Sequence, residues 1–368
     1  VAFFCTEDRY MEDKEFVLKD FKEYLPLDVD ITDKERLVYR PILVSTELKK
    51  KIEPSLTEEQ LYVHMKEHSK WIFTLKDDVE YFKQDCIDLL RDIDFQSFSQ
   101  YGKLTERNYR SAKIAYLFDS YLRNFLQELL ERIEVFLKKS TTDAITIGYN
   151  GDFYIFNDDS IYYSDQQKYS STSPKRTELI QKTKYHLSRL LIEKKDDPLI
   201  KQQLDEYGVV LPWTLFRIMT FGNLSSFLIA LQPDYRNKVA NYISIDSNKD
   251  NLISAKLLLS WMNSLRYLRN LCSHNSRLYK KLHNIPPKIH FDDREIINDG
   301  QNMDKSLFVY FLVMKRIICC MSRESQHFWN NKVKDLDKES SKREIELLNY
   351  GFPTSWLIIL TIDLEEMQ

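Results

Sequence analysis

The chain of 368 residues is long enough for about two or three domains and a sizeable hydrophobic core. With only 7 glycines and 10 prolines it lacks the turn residues of an all-β fold, and its many Leu, Ile, Lys and Glu residues favour helices. Its 53 basic and 56 acidic side chains give a net charge of −3, which excludes an overall positive field that would attract nucleic acid.

Cysteine usage and apolar runs bear on where the protein resides. The five cysteines form no CxxC pair and no zinc-binding spacing, and their odd number and scatter are typical of a reducing cytosol. The apolar start of the chain is too short, and too soon followed by charge, for a secretory signal. Leu307 to Cys320 is strongly apolar but short, and Lys315 and Arg316 interrupt it. We therefore expect a buried helix there, no membrane contact and a cytoplasmic location.

Residues 1–100 are expected to form an N-terminal helical extension. The segment Ser55-Leu56-Thr57-Glu58-Glu59 resembles a capping box, which predicts a helix from there to about Ser69. A second helix is predicted from Lys76 to Ile93, because apolar residues recur there at helical spacing.

Residues 101–205 are expected to form a first helical bundle. From Thr105 to Lys139 an apolar stripe alternates with a charged face, which indicates one long amphipathic helix or two abutting ones. Asn150-Gly151 is flanked by β-branched and aromatic residues, a pattern that predicts a small β-hairpin near residues 145–163.

The second half of the chain has a more regular helical pattern. Residues 206–330 are expected to form a second helical bundle, and residues 331–368 a helical tail. The predicted helices span residues 212–220, 224–231, 233–243, 251–274, 305–323, 334–348 and 356–362. The fold class predicted from the whole pattern is mainly α, with two helical bundles and a small β-hairpin insertion.

The densest cluster of residues that can do chemistry lies between Leu265 and Tyr279. Within six residues it holds a permanent cation, an amide and an imidazole: Arg269, Asn270 and His274. An arginine can hold a phosphate while a histidine, whose imidazole ordinarily titrates near pH 6.5, moves a proton. Together such groups can cleave RNA without a metal ion.

Helical geometry sets the relation between these groups. An apolar stripe on one side comprises Leu258, Trp261, Leu265, Leu268 and Cys272. Another side, which can line a groove, carries Arg266, Asn270, His274 and Arg277. A strict helix separates Arg269 from His274 by about 140°, but the two converge if the helix ends near Ser273. Lys280 and Lys281 follow as a modest basic patch.

The same spacing has a purely structural interpretation. Arg269 borders the apolar stripe, where a guanidinium is costly unless it pairs with a carboxylate of another helix. His274 would then simply occupy a helix C-terminus, a position that favours a cation. The spacing alone leaves both interpretations open.

Four blocks of the sequence resemble bacterial abortive-infection proteins of the AbiD/AbiF type. The blocks are Pro212-Trp213, Phe221-Gly222-Asn223-Leu224-Ser225, Leu259-Ser260-Trp261 and Arg269-Asn270-Leu271-Cys272-Ser273-His274-Asn275-Ser276-Arg277-Leu278. The likeness extends over residues 212–282, with a further fit at Phe118-Asp119, Leu122-Arg123 and Arg132-Ile133-Glu134. Such proteins are placed in the HEPN superfamily of helical domains.

This resemblance implies a HEPN-type endoribonuclease toxin that cuts RNA without metal or cofactor and leaves a 2′,3′-cyclic phosphate. It assigns catalysis to Arg269, Asn270 and His274. The residues that would bind the RNA substrate are Arg266, Arg277, Lys280 and Lys281. It further implies a small inhibitory RNA, a phage-encoded trigger and a second copy of the chain as partners.

The sequence departs from a pattern with two motifs. The place for a second Arg and His reads Phe136-Leu137-Lys138-Lys139-Ser140-Thr141-Thr142-Asp143, without a histidine. The first bundle is therefore a degenerate HEPN unit, or two chains pair through their second units.

Two other functions compete with the nuclease. In the first, the bundles bind RNA or a phage protein without catalysis, and Arg269 is structural. In the second, His64 and His68, four residues apart with Glu67 between them, hold a metal ion for hydrolysis. No third ligand follows them at a zinc-site spacing, so a solvated helix face is the simpler interpretation.

Overall fold

A computed structural model describes residues 55–73, 79–147, 153–156, 158–162, 176–245, 251–298 and 303–364. The chain divides into two compact units, Val1–Leu61 and Tyr62–Gln368. The fold described below is that of the second unit. Most of the predicted N-terminal extension, residues 1–54, lies outside the described residues.

The predicted mainly α fold is confirmed. The described residues hold fourteen α-helices, with two isolated β-bridges and no β-strand among them. The helices are α1 (Glu58–Glu67), α2 (Val79–Asp92), α3 (Phe95–Leu104), α4 (Tyr109–Thr146), α5 (Arg176–Glu193), α6 (Pro198–Tyr207), α7 (Pro212–Ile218), α8 (Phe221–Ala230), α9 (Pro233–Ile243), α10 (Ala255–Ser273), α11 (Arg294–Asn298), α12 (Phe308–Ile318), α13 (Arg323–Lys342) and α14 (Trp356–Leu360).

The long helix α4 is the centre of the fold. Its 38 residues form one uninterrupted helix, so the first of the two predicted arrangements is correct. Asn108 caps it, since its side chain accepts the Ser111 N–H at 2.9 Å. The apolar face of α4 packs against α3, α7, α9, α10 and α12. These contacts cross residue 205, where a boundary between two bundles was expected, and the four-domain division stays a prediction.

The predicted hairpin near residues 145–163 is wrong for the part of it that is described. Ile145 belongs to the last turn of α4, and residues 153–156 and 159–161 form short 3-10 turns. Asn150-Gly151, the expected turn, lies outside the described residues.

Aromatic packing explains why this segment is not paired as strands. The Phe156 ring lies 5.3 Å from Phe216 of α7 and 5.6 Å from Phe227 of α8, measured between ring centroids. Ile161 and Tyr162 are also buried, and Tyr162 forms a single antiparallel bridge with Leu231. The side chains that a hairpin would pair across strands instead fill the surface of the helical core.

Helix α12 is buried, as its apolar sequence predicted. Every side chain from Phe308 to Met314 is buried, and Phe311 packs 5.0 Å from Phe352 and 6.1 Å from Phe125. Within the ranges that the structure covers, no helix has the length and apolar character needed to cross a bilayer.

A close contact in the core makes Gly102 sensitive to substitution. Gly102 lies in the last turns of α3, and a Cβ there would overlap the indole of Trp71, which stacks on Phe98 at 5.4 Å. We expect Gly102→Ala to destabilise the fold by about 1–3 kcal/mol through overpacking, although alanine favours a helix. Urea unfolding checks this value.

Gly222→Ala is the matched control, because a Cβ at Gly222 would meet Thr220 Oγ1 at an ordinary 3.6 Å. That variant should be neutral or slightly more stable. If the two substitutions changed stability equally, the Trp71 contact would not be the cause.

A buried histidine makes the fold sensitive to acid. His283 is 1% exposed, and neither of its ring nitrogens has a hydrogen-bond partner among the described groups. Its ring lies 4.9 Å from that of Tyr310 and 6.1 Å from that of Tyr267. Burial, together with the charge of Lys281, lowers the pKa of His283 to about 3.

The native imidazole therefore stays neutral at pH values where the unfolded one binds a proton. Below about pH 6.5 the native state should lose up to about 1.4 kcal/mol per pH unit, until the pH reaches the native pKa. His283→Phe removes this loss, so its unfolding free energy should fall less between pH 7 and pH 5. The exposed His327→Gln is the control, and parallel pH profiles for all three proteins would contradict this account.

Candidate functional site

The motif residues lie on α10, whose formation follows from its sequence. Ser254 caps the helix, since its hydroxyl accepts the Leu257 N–H at 3.3 Å. The predicted apolar stripe is buried throughout: Leu258, Trp261, Leu265, Leu268 and Cys272. With this stripe α10 packs against α4, α8, α9 and α12, so its polar side has one fixed direction.

Helix α10 ends at Ser273, the boundary at which Arg269 and His274 were expected to come together. His274 is the C-cap, and Asn275 adopts a left-handed backbone with φ of 51°. The Ser276 N–H bonds to Leu271 O at 2.9 Å and the Asn275 N–H to Cys272 O at 3.3 Å. This pair of bonds is a Schellman motif, in which asparagine tolerates the left-handed position. His274 is therefore the last residue before the chain reversal, and its N–H still bonds to Asn270 O at 3.0 Å.

The three predicted catalytic side chains reach solvent at this end of the helix. Arg269, Asn270 and His274 are all exposed. The Arg269 guanidinium makes no hydrogen bond or ion pair with any described residue, so the expected pairing with a carboxylate of another helix is not found in that part of the chain. Assignment of catalysis to these residues stays a prediction.

Cys272, inside the motif, is excluded as a nucleophile. Its side chain is 1% exposed and faces the core. Burial raises the pKa of the Cys272 thiol to about 12, although the nearby charge of Arg123 opposes this. A protonated, buried thiol is inert at neutral pH.

A buried carboxylate fixes the chain directly after the motif. Asp119, on α4, is fully buried and accepts the N–H groups of Leu278 at 2.6 Å and Tyr279 at 3.1 Å. It also accepts the hydroxyls of Tyr101 and Tyr350, each at 2.7 Å. Burial raises the pKa of Asp119, while these four hydrogen bonds favour its ionised form.

A buried guanidinium lies beside this carboxylate. Arg123, one turn after Asp119 on α4, is 5% exposed and donates to Ser276 O at 3.4 Å. It also lies close enough to the Tyr101 hydroxyl to lower the pKa of that group, although burial and Asp119 raise this pKa more. Asp119 and Arg123 together hold residues 276–279 against α4.

The residues predicted to bind RNA lie near this anchored segment. Arg277 is half-buried and donates to Tyr279 O, and the Lys280 ammonium donates to Leu104 O at 3.1 Å. Lys281 is half-buried, and burial, followed by repulsion from Arg277, lowers its pKa. Arg277 and Lys281 therefore form a cationic pair close to the end of α10.

Arg266 lies elsewhere on α10, beside the start of α8. Its Nη2 donates to Asn263 Oδ1 at 2.9 Å, and its Cδ would lie 3.8 Å from a Cβ at Gly222. Thr220 and Asn223 form a reciprocal capping box at the start of α8. The Phe221 to Ser225 block thus docks beside the motif helix, one turn before Asn270.

Sequence reasoning missed the roles of Asp119, Arg123, Tyr101 and Tyr350. The available signal was an acidic and a basic residue, four apart, inside the apolar stripe of α4, where a charge needs a partner. Their partners are distant in the sequence, so spacing could not identify them.

The histidines proposed for a metal site lie at the end of α1. The rings of His64 and His68 are 5.4 Å apart between centroids, and His64 meets Phe95 edge-on at 6.5 Å. Across the described ranges, no group of three or more His, Cys, Asp or Glu side chains is placed to hold a metal ion.

Comparison with known proteins gives the family. A sequence model of the Abi-like protein family matches residues 81–280, which is more than half of the chain. The chain therefore belongs to the Abi-like family of abortive-infection proteins. No curated protein and no solved structure matches it. The matched region contains α4, α8, α10 and all the motif residues.

Removal of the Asp119 carboxylate should release the segment after the motif. Asp119→Ala leaves four donors without their acceptor, which we expect to cost about 3 kcal/mol or more. Tyr350→Phe removes one of these bonds and should cost about 1 kcal/mol. Urea unfolding measures both values.

Hydrogen exchange gives a local readout of the same change. The Leu278 and Tyr279 amides should exchange faster in Tyr350→Phe, and the exposed Asp304→Ala is the control. Unchanged protection of these two amides in Asp119→Ala would mean that Asp119 does not hold the segment.

Proposed function

We propose that this protein is a metal-independent endoribonuclease toxin of phage abortive infection, of the AbiD/AbiF type and the HEPN superfamily. The observation that carries the proposal is the exposure of Arg269, Asn270 and His274 at one helix end, beside a chain reversal that Asp119 fixes. Membership of the Abi-like family supports it. The cysteine usage of the chain is typical of a reducing cytosol, and the cytosol is where cellular RNA is found.

The reaction is attack of a ribose 2′-oxygen on the adjacent phosphorus. His274 removes the 2′-OH proton as base, or supplies a proton to the leaving 5′-oxygen as acid. The P–O5′ bond breaks, which gives a 2′,3′-cyclic phosphate and a 5′-hydroxyl. Arg269 neutralises the charge that develops on the phosphorane, and Asn270 orients the imidazole or a phosphate oxygen.

The surrounding cations position the RNA strand. Arg277 and Lys281 lie together at the end of α10, Lys280 is exposed beside them, and Arg266 lies toward α8. Each can neutralise a backbone phosphate, so the attraction for RNA is local in a chain with a net charge of −3.

The second proton-transfer group comes from a second copy of the chain. Residues 136–143 lie in α4 and contain no histidine, so the first half of the chain has no matching motif at that place. A pair of chains brings two sets of Arg269 and His274 together. A small inhibitory RNA and a phage-encoded trigger are further proposed partners.

Loss of either motif group should abolish RNA cleavage. With total cellular RNA in the presence of EDTA, we expect His274→Ala and Arg269→Ala each to lower the rate of cleavage by a factor on the order of a hundred or more. Mapping of the cut ends should show 2′,3′-cyclic phosphates. His327→Ala and Arg91→Ala, at exposed positions on α13 and α2, should cut as the unchanged protein does.

Other outcomes assign a different function. Full activity in both motif variants would remove the nuclease assignment to this site. An unchanged protein that cuts no RNA yet forms a stable complex with RNA or a phage protein would be a non-catalytic binder. Cleavage that is lost with EDTA and in His64→Ala would identify a metal hydrolase.

A further inference from the structure

A second cationic surface lies at the opposite end of α10 from the motif. An open groove of about 600 Å³ there is lined by three basic and several apolar side chains. We call it the distal groove; its basic residues are Lys256, Lys288 and Arg294, and its apolar ones include Leu257, Phe291 and Ile297.

The three basic side chains of the distal groove are not neutralised. None of them makes a hydrogen bond or ion pair with another residue in the described part of the chain. The adjacent carboxylates of Asp292 and Asp293 are engaged by Arg316, whose Nη2 lies 2.7 Å from Asp293 Oδ1. The lining of the groove thus carries three basic side chains and no acidic one, which favours an anionic ligand.

The backbone around the groove is fixed to α10. Lys288 donates its N–H to Ser260 Oγ at 2.8 Å and accepts the Trp261 indole N–H at 2.6 Å. His290 Nε2 lies 3.2 Å from Leu252 O. Lys256 is one turn before Ser260, so these contacts hold Lys288 beside Lys256.

An aromatic ring is presented at the same place. Phe291 is 64% exposed, although it lies against His290 with 4.5 Å between ring centroids. An exposed ring beside unneutralised cations is the combination that single-stranded nucleic acids use, since a base stacks on the ring and phosphates meet the cations.

The distal groove and the motif share one face of α10. Lys256 and His274 are separated by about five helical turns, so they point in the same direction about 27 Å apart. Between them the loop after the motif lies against this face, since the Lys288 N–H bonds to Ser260 Oγ at 2.8 Å and the His283 ring lies 6.1 Å from that of Tyr267. A single strand that runs alongside this loop spans the same distance, within the site sizes of about 4–16 nucleotides found for such strands.

We propose that the distal groove binds the RNA substrate at nucleotides several positions from the cleaved phosphate. This rests on the proposed ribonuclease function. Lys256, Lys288 and Arg294 hold backbone phosphates, and Phe291 stacks on one base. The groove therefore selects strands long enough to span α10, and it contributes to substrate binding without contact with the reacting atoms.

Binding is tested first, apart from cleavage. The full-length His274→Ala protein is titrated in EDTA against a fluorescent single-stranded 16-nucleotide RNA. Addition of Lys256→Gln and Lys288→Gln should weaken binding about tenfold or more and lower the slope of log affinity against log salt by about 1.4. Phe291→Ala should weaken it on the order of tenfold, and Phe291→Tyr should restore it.

Matched controls and competitors decide the result. Lys334→Gln with Lys338→Gln, at exposed positions of α13, removes the same charge and should leave affinity within about twofold. If the groove variant bound RNA as this control does, the proposal would be overturned. Polyglutamate that competes as well as RNA would also overturn it, and would point to an acidic protein instead.

Cleavage kinetics separate this proposal from the ribonuclease proposal. With active protein, the groove variants should raise KM for a 16-nucleotide substrate about tenfold, leave kcat unchanged, and leave cleavage of a trinucleotide unchanged. Equal effects on long and short substrates would contradict the groove. Absence of cleavage by the unchanged protein, with groove-dependent binding intact, would reject only the ribonuclease.

Discussion

Four hydrogen bonds converge on the Asp119 carboxylate and join parts of the chain that are far apart in sequence. They come from Tyr101 of α3, from Tyr350 near the C-terminal end, and from the backbone of Leu278 and Tyr279. A carboxylate in the core is costly, and only several donors with good geometry offset that cost. Because Asp119 lies on the long helix α4, it places the segment after the motif relative to the centre of the fold. The site at the end of α10 depends on this placement.

Local patterns were sufficient for the elements that have strong periodicity. The stripe of α10 is buried as its spacing predicted, and α4 is a single helix. The end of α10 could also be found locally, because Asn275 is one of the few residue types that tolerate a left-handed position. For the described part of residues 145–163 the hairpin prediction is wrong, because a local turn and strand pattern does not identify partners that are distant in the sequence. Phe156, within this range, packs with Phe216 and Phe227 instead.

Contacts over long sequence separations were beyond reach of the sequence alone. The sequence did not identify the partners of Asp119 and Arg123, since nothing in their spacing points to Tyr350 or Ser276. The distal groove is similar, because Lys256 comes from α10 while Lys288 and Arg294 come from a later loop and α11. The motif itself was visible as a short cluster of unlike chemical groups. That the motif is exposed beside a fixed chain reversal could be seen only in the folded structure.

The burial of Cys272 limits the access of oxidants to the one sulfur atom within the Arg269 to His274 segment. Peroxide and related oxidants attack the thiolate form of cysteine, and a thiol with a pKa of about 12 offers almost none of it at neutral pH. The core side of α10 also shields this sulfur atom from solvent. The guanidinium and imidazole on the outer side are not oxidised under the same mild conditions. Cys272 is therefore poorly placed to react with such oxidants, although it lies between Asn270 and His274 in the sequence.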